Sequence, residues 1–116
     1  MSEAADRLRH IVTDRALHGP GRAAPALRLA AFENQGVDAR ARDLIDKVAR
    51  QAWTVTDQDI AAAKAAGLTD DEVFELVVCA ALGQSTRQLE ASLAAVEAAV
   101  GSAGAADDRG DAGGIR

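Results

Sequence analysis

The chain has 116 residues, a formal net charge of −5 and 48% apolar residues, of which few are aromatic. This length fits one small domain. The acids are dispersed among Arg and Lys without a basic face, so we expect no nucleic-acid partner. The single cysteine excludes a disulfide or a CxxC pair within one chain. A charged N-terminus and the lack of an apolar run of about 18 residues predict a cytoplasmic protein without a membrane span.

Much of the apolar content is alanine, which buries little area per residue. At roughly 25 cal/mol per Å² of buried apolar surface, such a core supplies modest stabilisation. Small domains often compensate by associating with further copies. We therefore expect this chain to be a subunit of an oligomer.

Helix-forming residues dominate, and no β-branched alternation is long enough for a strand, so the chain is predicted to be all-α. The first helix begins after Ser2, a suitable N-cap, and ends at His18–Gly21. Its apolar stripe comprises Leu8, Ile11, Val12 and Ala16. A second, short helix spans about Pro25–Asn34, with proline in its first turn. Residues 1–36 are therefore predicted to be N-terminal helices.

A third helix is predicted from Asp38, as its cap, to about Trp53. Several of its apolar residues recur at helical spacing and so share one face. These residues are Leu44, Ile45, Val48, Ala49 and Ala52.

The next stretch contains the same pattern twice, in VTDQDI (Val55–Ile60) and LTDDEV (Leu68–Val73). Each segment places Thr at an N-cap, an acid three residues later and apolar residues on both sides. This is the pattern of a capping box with a hydrophobic staple. The Thr–acid pairs are Thr56 with Asp59 and Thr69 with Glu72. Gly67 fits the position just after the intervening helix. The two segments are therefore predicted to start two helices.

The last helix is predicted from Asp70 to about Val100. Its first half is apolar around most of its circumference, which is typical of a central, buried helix. Gly83 in this half suits a close approach to another helix. The second half narrows to a stripe that suits packing against another helix or subunit. That stripe is Leu82, Leu89, Leu93, Val96 and Val100. Residues 101–116 are mainly Gly, Ala and Asp, and we predict a disordered tail.

The segment AAGLTDDEV (Ala65–Val73), with a helix on each side, resembles the turn into the long central helix of AhpD-like alkylhydroperoxidases and carboxymuconolactone decarboxylases. The resemblance implies an all-α AhpD-like helical bundle over residues 37–100. It also implies a homo-oligomer, since proteins of this family commonly form trimers or hexamers.

The CxxCxxxH motif of that family is not present in this chain. Aligned by eye from Gly67, its two Cys positions fall on Ala52 and Val55, and its His position falls on Asp59. A two-Cys peroxidase needs a reactive thiolate and a resolving thiol within reach. The resemblance therefore implies the fold without the redox dithiol and without a cofactor.

Two residues are candidates for catalysis. Cys79 lies in the apolar segment ELVVCAALG, where a free cysteine usually packs as a small hydrophobe. The alternative is a redox role with an external thiol. Asp59 stands at the family's His position, so it could act as a general base with a raised pKa. The competing interpretation is that it caps a helix.

Three further residues are candidates for ligand contact: Trp53, Gln84 and Arg87. Trp53, the only tryptophan, fits a ligand pocket, the core or an interface. Gln84 and Arg87 fit a cavity, a contact between subunits or the surface. His10 and His18 lie eight residues apart on one helix, which is poor geometry for a shared metal, so no metal site is predicted.

These observations lead to two hypotheses. In the first, the protein has no redox activity and acts as an oligomer that binds a small ligand or a protein partner. In the second, it is an enzyme, either a peroxidase-type oxidoreductase that uses Cys79 or a decarboxylase-like acid–base catalyst that uses Asp59.

Overall fold

A computed structural model of the chain describes residues 2–108. It contains five α-helices: α1 (Glu3–His18), α2 (Pro25–Glu33), α3 (Arg42–Gln51), α4 (Asp57–Ala65) and α5 (Asp70–Asp108). A short 3₁₀ turn, Ala52–Thr54, lies between α3 and α4. No strand occurs among residues 2–108, which confirms the all-α prediction and the long last helix. Within that range no helix combines the length and the apolar character needed to cross a membrane.

The chain divides into two compact units, the first ending at Ser85 and the second beginning at Thr86. Helix α5 contributes residues to both units. The first unit holds α1 to α4 and the N-terminal part of α5, and it contains the buried core. The second unit is formed by the remainder of α5 and is described separately below.

The core of the first unit is built largely from small side chains. Its largest fully buried residues are Ile45, Leu76 and Cys79. Much of the rest is alanine: Ala23, Ala31, Ala41, Ala63 and Ala80. A core of this composition buries little apolar area, which agrees with the inference from composition.

Both predicted capping boxes are present. At the start of α4, the Asp59 amide donates to Thr56 Oγ1 at 3.4 Å, and the Thr56 amide donates to Asp59 Oδ2 at 2.9 Å. At the start of α5, the Glu72 amide donates to Thr69 Oγ1 at 3.1 Å, and the Thr69 amide donates to Glu72 Oε1 at 2.9 Å. The repeated sequence pattern therefore marks two helix starts, as predicted.

Gly67 ends α4 in the left-handed region, with φ of +118°. The Leu68 amide donates to the Ala63 carbonyl at 3.2 Å, and the Gly67 amide donates to the Lys64 carbonyl at 3.0 Å. These two bonds form a Schellman motif, which satisfies carbonyls left open at a helix end. The turn between α4 and α5 is thus set by local hydrogen bonds.

Gly83 allows α5 to approach α2 closely. A Cβ atom on Gly83 would overlap the backbone carbonyl of Phe32. Backbone atoms cannot move aside as the end of a flexible side chain can, so only glycine fits this crossing. The predicted role of Gly83 in a close helix approach is confirmed.

The predicted start of α3 at Asp38 is wrong, because the helix begins at Arg42. Asp38 Oδ1 instead accepts a bond from the Arg40 amide at 2.9 Å, and the Asp38 carbonyl accepts from the Ala41 amide at 3.0 Å. Aspartate often forms such turns with the backbone two residues later, in competition with helix capping. At the other end of this helix, Ala52 is exposed in the 3₁₀ turn rather than on the buried face.

The predicted apolar stripe of α1 is not a buried face. Leu8, Ile11 and Val12 are exposed, and α1 has no fully buried residue. Only Ala16 and Leu17, near its C-terminus, pack against the core. Helix α1 is therefore attached to the first unit mainly through its last turn.

Helix α5 continues beyond the predicted end at Val100 and reaches Asp108. Residues 101–108, predicted to belong to a disordered tail, are therefore helical. Alanine, frequent in this segment, has the highest helix propensity, which offsets the cost of the interspersed glycines. The rest of the predicted tail, residues 109–116, lies outside the described range.

Candidate functional site

Asp59 is held by the first turn of α4 and by an ion pair from α3. Besides the Thr56 amide, its carboxylate binds Lys47 Nζ at 2.9 Å through Oδ1 and at 3.0 Å through Oδ2. The Thr56 hydroxyl also donates to Asp59 Oδ2, at 3.2 Å. Both carboxylate oxygens are thus occupied by donors from the protein itself.

These donors lower the pKa of Asp59, the largest cause being the hydrogen bond from Lys47 and the next the Thr56 amide. A general base that works near neutral pH needs a raised pKa instead. The direction of the shift is therefore opposite to that required by the acid–base hypothesis. The arrangement fits the capping and ion-pairing role.

Asp59 lines a cleft between α3 and α4 with a volume of about 240 Å³. Its other lining residues are Ala39, Arg40, Asp43, Leu44, Ala62, Ala63 and Ala66. Arg40 is engaged by Asp38, at 2.9 Å from Nε and 3.0 Å from Nη2. Small-molecule sites usually enclose about 300–1,000 Å³. The cleft is smaller than this range, and its basic lining residue, Arg40, is already paired with Asp38.

A second depression, of about 370 Å³, lies at the α2–α3 connection. It is lined by Asn34, Gly36, Val37, Arg42, Asp43, Asp46 and Arg50. Within it, Asp46 Oδ1 accepts from Arg50 Nε at 2.7 Å and from Asn34 Nδ2 at 3.2 Å. Arg42 Nη2 donates to the Val37 carbonyl at 3.2 Å. Four of its five polar side chains, all except that of Asp43, thus already form hydrogen bonds, which a ligand would have to displace.

Cys79 is only 1% exposed in the core of the first unit. Its thiol donates to the Ala16 carbonyl at 3.4 Å. Burial raises the pKa of Cys79, an effect that the nearby Arg28 guanidinium partly opposes. Since the thiolate is the reactive form, a buried thiol with a raised pKa is a poor nucleophile. The geometry fits the packing role rather than the redox role.

The three predicted ligand-contact residues do not come together. Trp53 is 82% exposed on the 3₁₀ turn after α3. Gln84 and Arg87 are half-buried on α5, the former in the first unit and the latter in the second. None of the three lines either of the cavities described above. Within the described residues, no group of three or more His, Cys, Asp or Glu is arranged to hold a metal ion.

Sequence reasoning missed two charged residues that organise the first unit. Arg28 is buried, and its guanidinium donates to the carbonyls of Ala23 (3.1 Å), Ala16 (3.3 Å) and Gly19 (2.8 Å). Arg28 lies three residues before Ala31, a fully buried position. That helical spacing was the one available signal that the arginine faces inward.

Glu75 of α5 binds the loop between α1 and α2. Its Oε1 accepts from the Ala23 amide at 2.8 Å, and both carboxylate oxygens accept from the Arg22 amide at 2.9 Å. A carboxylate that accepts backbone N–H groups forms strong, charge-assisted hydrogen bonds. Glu75 therefore fixes a loop that lies more than fifty residues earlier in the sequence.

Comparison with known proteins gives no relative. No family model, no curated protein and no solved structure matches this chain. The AhpD-like fold and its trimeric or hexameric assembly therefore stay predictions.

The second unit presents a row of apolar side chains, here called the α5 stripe: Leu89, which is half-buried, and the exposed Leu93, Val96 and Val100. Leu93, Val96 and Val100 are 39%, 57% and 65% exposed. Every residue from 91 to 100 is exposed, so this helical segment shows solvent-accessible surface on all its faces. Contiguous exposed apolar surface of this kind marks interaction sites.

Proposed function

We propose that this chain is a non-redox helical protein that acts by binding, and that it associates with other copies through the α5 stripe. The observation that supports this most directly is the exposure of Leu93, Val96 and Val100 on one face of a continuous helix. The stripe follows the spacing of side chains that pack between two helices.

Helix energetics point the same way. Most of the stability of a helix in a protein comes from packing of its apolar face against other parts of the structure. Residues 91–100 have the apolar face, yet all of them are exposed. A partner that covers the α5 stripe would supply the missing stabilisation.

Binding of a small ligand and catalysis receive less support. The cleft beside Asp59 is small, and its carboxylate is engaged by Lys47. The Cys79 thiol is buried, with a raised pKa. An oligomer that acts by binding thus fits the described residues better than a peroxidase or a decarboxylase. The AhpD-like assembly remains compatible with this proposal, but the proposal does not depend on it.

The test is sedimentation velocity on wild type, Leu93→Asp and Ala98→Asp across a concentration series. The molecular mass of the wild-type protein in solution is expected to exceed the 12.0 kDa of one chain. A buried charge without a partner is costly, so Leu93→Asp is expected to return the mass to that of one chain.

Ala98→Asp is the matched control, since it places the same charge on the opposite face of the same helix. It should keep the wild-type mass. A wild-type protein that stays monomeric at the highest attainable concentration would refute the proposal. So would equal dissociation by both variants, because loss of helix rather than loss of the stripe would then be responsible.

A further inference from the structure

We infer that two copies of the α5 stripe pair as a parallel, in-register, two-stranded coiled coil. This inference rests on the proposed function and adds the number of strands and their relative direction. It is carried by the spacing of the stripe and by the residues along its two edges.

The stripe has the alternating spacing of a heptad repeat. Steps of four, three and four residues separate Leu89, Leu93, Val96 and Val100, which assigns Leu93 and Val100 to position a, and Leu89 and Val96 to position d. Thr86 precedes Leu93 by seven residues and is also an a position. Within parallel coiled coils, β-branched residues at a and leucine at d favour two strands. Thr86, Leu89 and Val100 follow that rule. The two central residues do not, since leucine is at a (Leu93) and a β-branched residue is at d (Val96).

The edges of the stripe differ in charge. Glu90 and Glu97, at the e positions, are exposed along one edge, and Ser92 and Ala99, at the g positions, are exposed along the other. In an antiparallel pair, e residues face e residues. Glu90 of one copy would then lie beside Glu97 of the other, twice by symmetry, and like charges at such positions are unfavourable.

The parallel arrangement avoids this opposition. There, each g residue faces an e residue of the other strand, so Ser92 lies beside Glu97 of the second copy. A serine hydroxyl can donate to a carboxylate, so the contact carries no repulsion. The charge pattern thus favours the parallel direction over the antiparallel one.

The test uses one added cysteine at each end of the stripe, in Thr86→Cys and Val100→Cys. In the parallel arrangement, the introduced cysteine lies beside the same cysteine of the second copy. Mild oxidation should therefore give covalent dimers of both variants. In an antiparallel pair centred between Leu93 and Val96, the two Val100 positions lie about 11 residues apart along the axis, or roughly 16 Å. A disulfide requires Cα atoms within about 7 Å.

Ala98→Cys, on the opposite face, is the matched control, and wild type controls for Cys79, which is buried. At about 10 μM protein, pairing inside a complex of millimolar effective concentration should make cross-linking on the order of 100-fold faster than for Ala98→Cys. Sedimentation of the same samples separates the two proposals. An oligomer in which Val100→Cys and Thr86→Cys cross-link no faster than Ala98→Cys refutes the parallel pairing alone. A monomer refutes the proposed function and the pairing together.

Discussion

Arg28 and Cys79 donate to the same carbonyl oxygen, that of Ala16, at 3.3 Å from Arg28 Nη1 and 3.4 Å from Cys79 Sγ. The carbonyl belongs to the last turn of α1, where helical carbonyls have no partner within the helix. Arg28 from α2 and Cys79 from α5 thus complete the hydrogen bonding of α1. The single cysteine of the chain therefore has a structural contact at the place where three helices meet.

The contacts of Arg28 predict that its replacement destabilises the fold. Arg28→Met keeps the length of the side chain but leaves the Ala16, Gly19 and Ala23 carbonyls without this donor. Because unsatisfied buried acceptors cost about 1–3 kcal/mol, we expect the free energy of unfolding to fall by about 3 kcal/mol. Urea denaturation measures this change.

Arg7→Met is the control for Arg28→Met, since Arg7 forms an exposed ion pair with Glu3 on α1. Exposed ion pairs of this kind contribute little to stability, so the midpoint of urea denaturation should stay at the wild-type value. Equal losses in the two variants would show that the carbonyl contacts of Arg28 do not stabilise the fold.

Two glycines of α5 predict opposite responses to the same substitution. Gly83→Ala forces a methyl group against the Phe32 carbonyl and should cost about 3 kcal/mol, the upper end for overpacking. Gly101→Ala meets open space and replaces a poor helix former, so it should favour the helix by about 1 kcal/mol. Thermal unfolding and helical circular dichroism of both variants test the pair. A neutral Gly83→Ala would contradict the close helix crossing.

The Asp59–Lys47 pair predicts a specific dependence of stability on pH. Because the folded-state pKa of Asp59 is lowered, the unfolded chain binds the proton more readily. The stabilisation is therefore present above the ordinary aspartate pKa of about 3.9 and is lost as the pH falls through the folded value. Asp59→Asn should lower the melting temperature at pH 7, and its gap to wild type should close in acid.

Asp57→Asn supplies the comparison for Asp59→Asn, since Asp57 lies exposed in the same first turn of α4. At pH 7, the melting temperature of Asp57→Asn should differ from that of wild type by less than that of Asp59→Asn does. A gap for Asp59→Asn that persists unchanged at the lowest pH would mean that ionisation of Asp59 does not stabilise the fold.

The burial of Cys79 predicts a protected thiol without peroxidase activity. A thiol reagent should label Cys79 slowly in the native protein and rapidly in denaturant, because native labelling requires the structure to open. Peroxide consumption with a thiol donor should be the same for wild type and Cys79→Ser, and no higher than without protein. Turnover that disappears in Cys79→Ser would establish the redox alternative.

Local patterns in the sequence predicted local structure well. The boxes at Thr56 and Thr69 and the turn at Gly67 depend on contacts within a few residues, so the sequence alone contains both partners of each bond. Asp38 failed as a predicted helix cap because a turn that begins at the same residue competes with the cap. Such competition between two local motifs cannot be resolved without the surrounding structure.

The contacts that assemble the first unit were beyond sequence reasoning. Glu75 binds the amides of Arg22 and Ala23, which lie 53 and 52 residues away, and no local pattern encodes that pairing. The candidate site also depends on a contact between residues that are distant in the sequence. The capping role of Asp59 was one of two interpretations that its sequence neighbours allowed, whereas its partner Lys47 is contributed by a different helix.

The attachment of α1 has a consequence for the order of folding steps during synthesis of the chain. Helix α1 leaves the ribosome before α5, and Cys79, which binds the Ala16 carbonyl of α1, is translated 63 residues after Ala16. At about 5–20 residues per second, this interval lasts roughly 3 to 13 s. During that time α1 has neither its α5 contact nor a buried face of its own. The docking of α1 is therefore expected to be completed only after the first part of α5 has been synthesised.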